Sequence, residues 1–394
     1  HVAKEMQRLN FKTPLMIGGA TTSRIHTAVK ISPHYDGPVV HVSDASRSVP
    51  VAGKLKSKDL TFIKNIQEQY QSLKTKHELG QEKIVLTDYK TAIKNKTKID
   101  WYNYTPTKPS FTGSKVFTNI TAQDLRPYID WTPFFQTWRL KGTYPKIFQD
   151  EKYGTEAKRL FDEAQEILDE MITKNISEPK AIISFYEAYS KNDDVFLKDG
   201  TVFHFLRNQK KMENASSANA SLADYIAPKD SNKTDYIGFF VVTAGSKLDE
   251  YAKSYEEKLD DYKSIMIKAL GDRIAEAYAE FMHEKVRKEL WGYAASEELS
   301  KQELIQEKYQ GIRPAPGYPA CPDHLEKQTI FKLLDVSKKI NVELTESCAM
   351  NPPSSISGYY FSHPESRYFN VGLLGKDQVA DYAGLDSEEG IDVM

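Results

Sequence analysis

The sequence predicts a large α+β domain with a twisted, mostly antiparallel sheet edged by helices, preceded by a partial doubly wound α/β piece and an irregular linker. Three observations carry this reading. Strand and helix alternate near the start, aromatic and β-branched runs recur between residues 181 and 243, and an apolar stripe at helical spacing follows from residue 249 to about 290.

In chain order, Pro14-Leu-Met-Ile17 reads as a short strand, Gly18-Gly19-Ala-Thr-Thr-Ser23 as a glycine turn with hydroxyl caps, and Ile25 to Ile31 as a helix. Pro38-Val-Val-His-Val42 is a second strand, followed by Ser43-Asp-Ala-Ser-Arg47 and another helix start. That is the rhythm of a parallel sheet. Two strands cannot complete one, so the chain is expected to begin inside a doubly wound domain whose earlier strands lie upstream or come from another segment. The Gly-Gly turn lets backbone approach a ligand and aims helix N-terminal amides at anionic groups, yet many α/β folds need such glycines only for packing. From Ser57 to Glu78, Leu60, Ile63, Ile66, Tyr70 and Leu73 recur at three and four, which predicts an amphipathic helix. Beyond Gly80 the chain mixes Lys, Thr, Asn and Pro and reads as a connector. The expected boundaries are 1–79 for the first piece, 80–115 for the linker and 116–394 for the large domain.

In the large domain Ala181-Ile-Ile-Ser-Phe-Tyr186, Thr201-Val-Phe-His-Phe-Leu206 and Tyr236-Ile-Gly-Phe-Phe-Val-Val-Thr243 read as strands. The last is apolar throughout, which places it at the sheet centre. One long helix is expected from Asp249 to about Leu290, with Tyr251, Tyr255, Leu259, Tyr262, Met266, Leu270 and Ile274 on its buried stripe. On another face Asp272, Glu276 and Glu280 stand four apart, where like charges repel slightly unless a cation lies between them.

The segment Arg313-Pro-Ala-Pro-Gly-Tyr-Pro-Ala-Cys-Pro322 holds four prolines in ten residues. Proline fixes φ and removes a donor, so this loop is rigid and cannot be helix or central strand. It reads either as a stiff connection or as a receptor whose guanidinium takes a carboxylate or phosphate. Cys321-Pro-Asp-His324 has ligand-like spacing, but two ligands do not make a zinc site, and a packed thiol beside a surface histidine is the better reading.

Composition excludes several classes. With 53 basic against 55 acidic residues there is no electrostatic case for nucleic acid, and no apolar run reaches transmembrane length. Two cysteines, Cys321 and Cys348, cannot form a disulfide framework and suit a reducing cytoplasm.

Several motifs, taken together, point to one family. Tyr128-Ile-Asp-Trp-Thr-Pro-Phe-Phe135, the loop from Arg313 to His324, and Ser357-Gly-Tyr-Tyr-Phe-Ser-His-Pro-Glu-Ser-Arg-Tyr-Phe369 resemble the C-terminal reactivation domain of cobalamin-dependent methionine synthase. Ile17-Gly-Gly-Ala-Thr-Thr-Ser23 and Ser43-Asp-Ala-Ser-Arg47 resemble the end of that enzyme's cobalamin-binding domain, a Rossmann-like fold. The resemblance implies a C-shaped domain with its methyl donor, S-adenosylmethionine, on the concave side. It implies a module that supports reductive methylation of inactive cob(II)alamin to methylcobalamin, with an electron from a flavodoxin-type partner. That sustains methyl transfer from methyltetrahydrofolate to homocysteine in methionine biosynthesis.

For the methyl donor the resemblance nominates Asp130, Glu276, Arg313, Tyr318, Tyr368 and Phe369. A zwitterion with a sulfonium charge needs a guanidinium, carboxylates and aromatic surface, and these residues supply all three. For cobalamin it nominates Gly18, Gly19 and Ala45. Transfer from sulfonium to cobalt is an in-line displacement that needs no proton abstraction, so no catalytic side chain and no protein-bound metal are expected, and His324 and His363 stay outside the site. The cobalt-ligating Asp-x-His-x-x-Gly motif would lie upstream of His1, as would the family's folate, homocysteine and zinc modules. The chain is therefore expected to be a fragment that makes no methionine alone. Two other readings compete: a docking module for flavodoxin and the cobalamin domain, and an unrelated methyltransferase using the same donor. The second lacks the glycine-rich loop expected after a first strand in the large domain.

Overall fold

The short apolar runs near the start of the chain form a parallel pair, β1 (Leu15–Ile17) beside β2 (Val39–His41), with Leu15 opposite Val39 and Ile17 opposite His41. Between them the expected helix forms as one turn, Arg24–His26, running into a π-helical turn, Thr27–Ile31, and Ser23 Oγ caps it by accepting from His26 N. Helices Ser48–Lys56 and Leu60–Glu82 follow. Ala3, Tyr35 and Val39 form a small core with Met6, Leu15, Ile17 and Ile31 packed against it. Strand, helix, strand, helix is the order the sequence predicts. The computed structural model describes residues 2–18, 23–42, 48–82, 84–212 and 217–384, so Gly19 and Ala45 lie outside the described residues.

The chain divides into two units, His1–Val85 and Leu86–Met394. The second is built on β3 (Gly113–Phe117), β4 (Lys180–Lys191), β5 (Asp194–Leu197), β6 (Val202–His204) and β7 (Asp235–Thr243), with a short ribbon of β8 (Glu343–Leu344) and β9 (Met350–Asn351) before β10 (Ser355–Tyr360). The sheet runs β10-β7-β4-β5-β6, β3 also pairs with β4, and every pairing is antiparallel.

All nine residues of β7 are buried, because the sheet is covered on both sides. Successive side chains of a strand point to opposite faces. Phe240 and Val242 enter one core with Leu160, Leu168, Leu270 and Ile274, while Ile237, Phe239 and Val241 enter the other with Ile330 and Leu334. The helices Gly154–Thr173 and Asp261–Lys285 therefore lie on one face, and Glu326–Leu334 on the other.

Two expectations need correction. The single helix from Asp249 is two helices, Lys247–Glu256 and Asp261–Lys285, the latter passing into a π turn, Val286–Leu290. Leu259 adopts φ +61° and is 91% exposed, so it leaves the predicted stripe. Asp260 then starts the second helix, its side chain accepting from Lys263 N. Residues 86–115, read as linker, belong to the second unit. Asp88 caps a helix, Tyr89–Lys94, whose first residue donates from its hydroxyl to Asp193 Oδ2 at 2.8 Å. Further on, Trp291 Nε1 donates to Thr107 O at 2.8 Å.

Candidate functional site

The helix Asp261–Lys285 turns Ile274, Tyr278 and Met282 into the core, while Glu276 and Glu280, one turn apart on another face, border a cavity of about 430 Å³. Across it stands the turn that follows the 3₁₀ segment Arg126–Tyr128. There Asp130 Oδ1 accepts from Thr132 N at 2.9 Å, which fixes the carboxylate at the mouth of the helix Thr132–Thr137. Tyr128 OH donates to Glu284 Oε2 at 2.8 Å and ties this turn to the long helix.

Arg313 comes from the proline loop, and the loop is seated on the extension of β10. Ile312 N donates to Phe361 O and Phe361 N to Ile312 O, both at 3.0 Å, and Tyr359 N donates to Pro314 O at 2.9 Å. This approach requires glycine at 358, where a Cβ would stand 2.5 Å from Pro314 O. Gly317 serves the same loop: at φ +97°, a Cβ there would fall 2.1 Å from the His324 ring. Cys321 Sγ donates to Ala315 O at 3.0 Å, and burial pushes its thiol up to about 12, so it acts as a packed donor within the loop.

The backbone N–H of Arg313 donates to Tyr368 OH at 3.0 Å, and its Nη2 donates to Glu280 Oε2 at 3.2 Å. Burial opposes the guanidinium charge, but Glu280 and, farther off, Glu276 hold its pKa above the ordinary arginine value. The charge is permanent.

Three of the six residues expected to hold a methyl donor, Asp130, Glu276 and Arg313, line this one cavity. The other three stand elsewhere. Tyr368 lies behind Arg313, its hydroxyl 3.3 Å from Tyr309 OH; Phe369 packs on the second core; and Tyr318 is 56% exposed at the loop tip. Gly18 closes β1, and a Cβ there would meet only Val42 O at 3.5 Å, an ordinary contact.

Sequence reasoning missed Arg273, Glu280, Glu307 and Tyr309 as lining residues. Glu280 had a signal in its spacing from Glu276, read there as repulsion on a solvated face. Glu307 and Tyr309 stand just before the proline loop and carried none. The full lining sets four carboxylates, Asp130, Glu276, Glu280 and Glu307, against two guanidiniums, Arg273 and Arg313, with Tyr128 and Tyr309 as ring surface. A net negative cavity with one anchored guanidinium suits a zwitterion that carries an extra positive charge. A larger cavity of about 590 Å³, at Lys96, Trp101 and Lys229, contains none of the expected residues, and the chemistry of the lining outweighs its size.

Two comparisons bear on this arrangement. A family model described as vitamin B12 dependent methionine synthase, activation domain, matches residues 121–386. A crystal structure of the MetH reactivation domain bound to AdoHcy is 46% identical in sequence and superposes with a TM-score of 0.74, covering 77% of this chain and 96% of that one.

Proposed function

The chain belongs to the family of vitamin B12-dependent methionine synthase activation domains, and from that premise we propose that it binds S-adenosylmethionine in the cavity beside Arg313. It is a reactivation module, part of a methyltransferase. AdoHcy, held by the similar reactivation domain, is what remains of S-adenosylmethionine once its methyl group has left.

The observation that carries the proposal is the convergence of Arg313, Asp130 and Glu276 on one cavity from three distant stretches of sequence. In this reading Arg313 takes the donor's carboxylate through parallel N–H bonds. Asp130 and Glu276 face the ammonium and sulfonium charges, and Tyr128 and Tyr309 offer ring faces to adenine. Tyr368 acts through the Arg313 backbone, Phe369 through packing, and the exposed Tyr318 turns toward the methyl acceptor. No proton moves in the transfer. The chain's task is to hold the sulfonium methyl along one line and to neutralise its charge.

Bound cobalamin would supply the cobalt nucleophile. Of the residues nominated for it, the structure describes Gly18, directly after β1. Association with other modules of the same enzyme follows from the family. A flavodoxin-type electron donor and a cytoplasmic setting complete the reading, the latter in keeping with two free, buried cysteines and with the lack of any membrane-crossing helix among the described residues.

Titration calorimetry tests it. S-adenosylmethionine is expected to release heat on the intact chain. Arg313→Ala removes one charge-assisted interaction worth about 1.5–3 kcal/mol, a loss of roughly ten- to hundredfold in affinity. Unchanged affinity in the variant contradicts the assignment, and no heat from the intact chain favours a docking role without a small-molecule site.

A further inference from the structure

Behind the cavity wall the ion pair of Arg313 continues into the protein. Glu280 Oε2 accepts from Arg313 Nη2, while Glu280 Oε1 lies 3.9 Å from Nη1 of Arg287. Arg287 stands in the π turn Val286–Leu290 at the end of the same helix, is fully buried, and does not line the cavity. Its other edge is clamped by Glu297: Nε and Nη2 donate to Oε1 at 2.9 and 2.8 Å, and Nε also reaches Oε2 at 3.1 Å. Its guanidinium carbon lies 4.6 Å over the Tyr309 ring, which itself lines the cavity.

The result is a row of alternating charges, Glu297, Arg287, Glu280 and Arg313, leading from the interior to the cavity. Packed against this row, His283 is fully buried, stacked on Tyr360 and edge-on to Tyr309, with neither ring nitrogen bonded to protein. Burial, then the two nearby guanidiniums, hold it neutral. Arg287 Nη1, Glu280 Oε1 and Arg313 Nε are buried and make no hydrogen bond within the protein, so Arg287 acts on Glu280 through charge across 3.9 Å. Burying a guanidinium is costly unless well-placed carboxylates offset its desolvation, and here Glu297 and Glu280 do so. Among the described residues, the carboxylates within ion-pair distance of Arg287 are its clamp, Glu297, and Glu280, which holds Arg313.

We infer that Arg287 is a positioning residue for the donor site. Anchored by Glu297, it fixes Glu280, and Glu280 fixes the direction of the Arg313 guanidinium before the donor arrives. This rests on the reading of Arg313 as the carboxylate anchor. It also separates two roles for the acidic row on the long helix, with Glu276 facing the ligand and Glu280 facing the arginine that holds it.

The test compares two ligands on the full chain: S-adenosylhomocysteine, and S-adenosylthiopropylamine, the same molecule without its carboxylate. The intact chain is expected to prefer the first. Arg287→Lys keeps the charge but cannot hold Glu297 and reach Glu280 together. It is expected to weaken S-adenosylhomocysteine by about tenfold, the loss of one well-aimed charged hydrogen bond. The carboxylate-free ligand is expected to change by less than about twofold. Glu297→Gln loosens the same clamp more gently and decides the matter if Arg287→Lys does not fold. A folded variant that leaves both affinities unchanged, or weakens both equally, overturns the positioning role. If the intact chain does not distinguish the two ligands, it is the anchor reading of Arg313 that fails.

Discussion

Gly358 is the point at which the proline loop and the sheet come closest, and Gly358→Ala tests whether that seat sets the donor site. A Cβ at 358 would lie 2.5 Å from Pro314 O and 2.7 Å from Phe240 Cε1. Ordinary contact begins near 3.4 Å, so both contacts must open by most of an ångström. Phe240 is fully buried, so its side can open only by repacking the core, and Pro314 O can withdraw only with the loop. The loop must lift, which strains the Tyr359 N–H bond to Pro314 O and moves the residue beside it, Arg313. Overpacking of this kind costs about 1–3 kcal/mol. For a unit of this size that lowers the melting temperature by roughly 2–4 °C per kcal/mol. Differential scanning calorimetry and titration with S-adenosylhomocysteine on the same preparation give both quantities. The expected outcome is a lower melting temperature together with weaker binding. Unchanged melting would refute the claim that the loop rests on β10, and lower melting with unchanged affinity would refute the claim that this seat aims Arg313.

Leu259→Gly is a test of sign. At φ +61° and fully in solvent, glycine relieves backbone strain and is expected to stabilise by about 0.5–1 kcal/mol in urea unfolding, whereas in one continuous helix the same change would destabilise by about 1 kcal/mol. Asp235 governs a pH effect. Burial raises its carboxyl to about 7, against the opposing pull of hydrogen bonds from Ala227 N and Tyr236 N. A folded pKa above the unfolded one means that its contribution is full below pH ~4 and is lost as pH rises through about 7. Between those limits the intact chain should lose up to about 1.4 kcal/mol per pH unit relative to Asp235→Asn. Denaturant unfolding at pH 5 and pH 8 checks this, and parallel pH profiles for the two proteins would contradict it.

The sheet was legible because local pattern and burial agree. In β7, alternate side chains serve two different cores, so the apolar run from Tyr236 to Val242 reads as an inner strand, and β7 is paired on both sides, by β10 and β4. The break before the long helix was harder to read. Asp260 is a recognisable cap, but the stripe continues through Leu259 in sequence, and only the left-handed backbone there takes that side chain out of register. Residues 86–115 were misread because their partners, Asp193 and Trp291, lie a hundred or more residues away and composition carries no trace of them. At the site, Asp130, Glu276 and Arg313 were named through the family motifs. Glu280 and Arg287 required the structure, since spacing shows the acidic row but not which member faces an arginine.

A crystal structure of the chain with S-adenosylhomocysteine tests the central claim most directly. The account predicts density in the cavity of about 430 Å³, with the ligand carboxylate within hydrogen-bond reach of Arg313 and its amine turned toward Asp130 and Glu276. Density in the larger cavity beside Lys96 and Trp101, or a ligand whose carboxylate points away from Arg313, would contradict it.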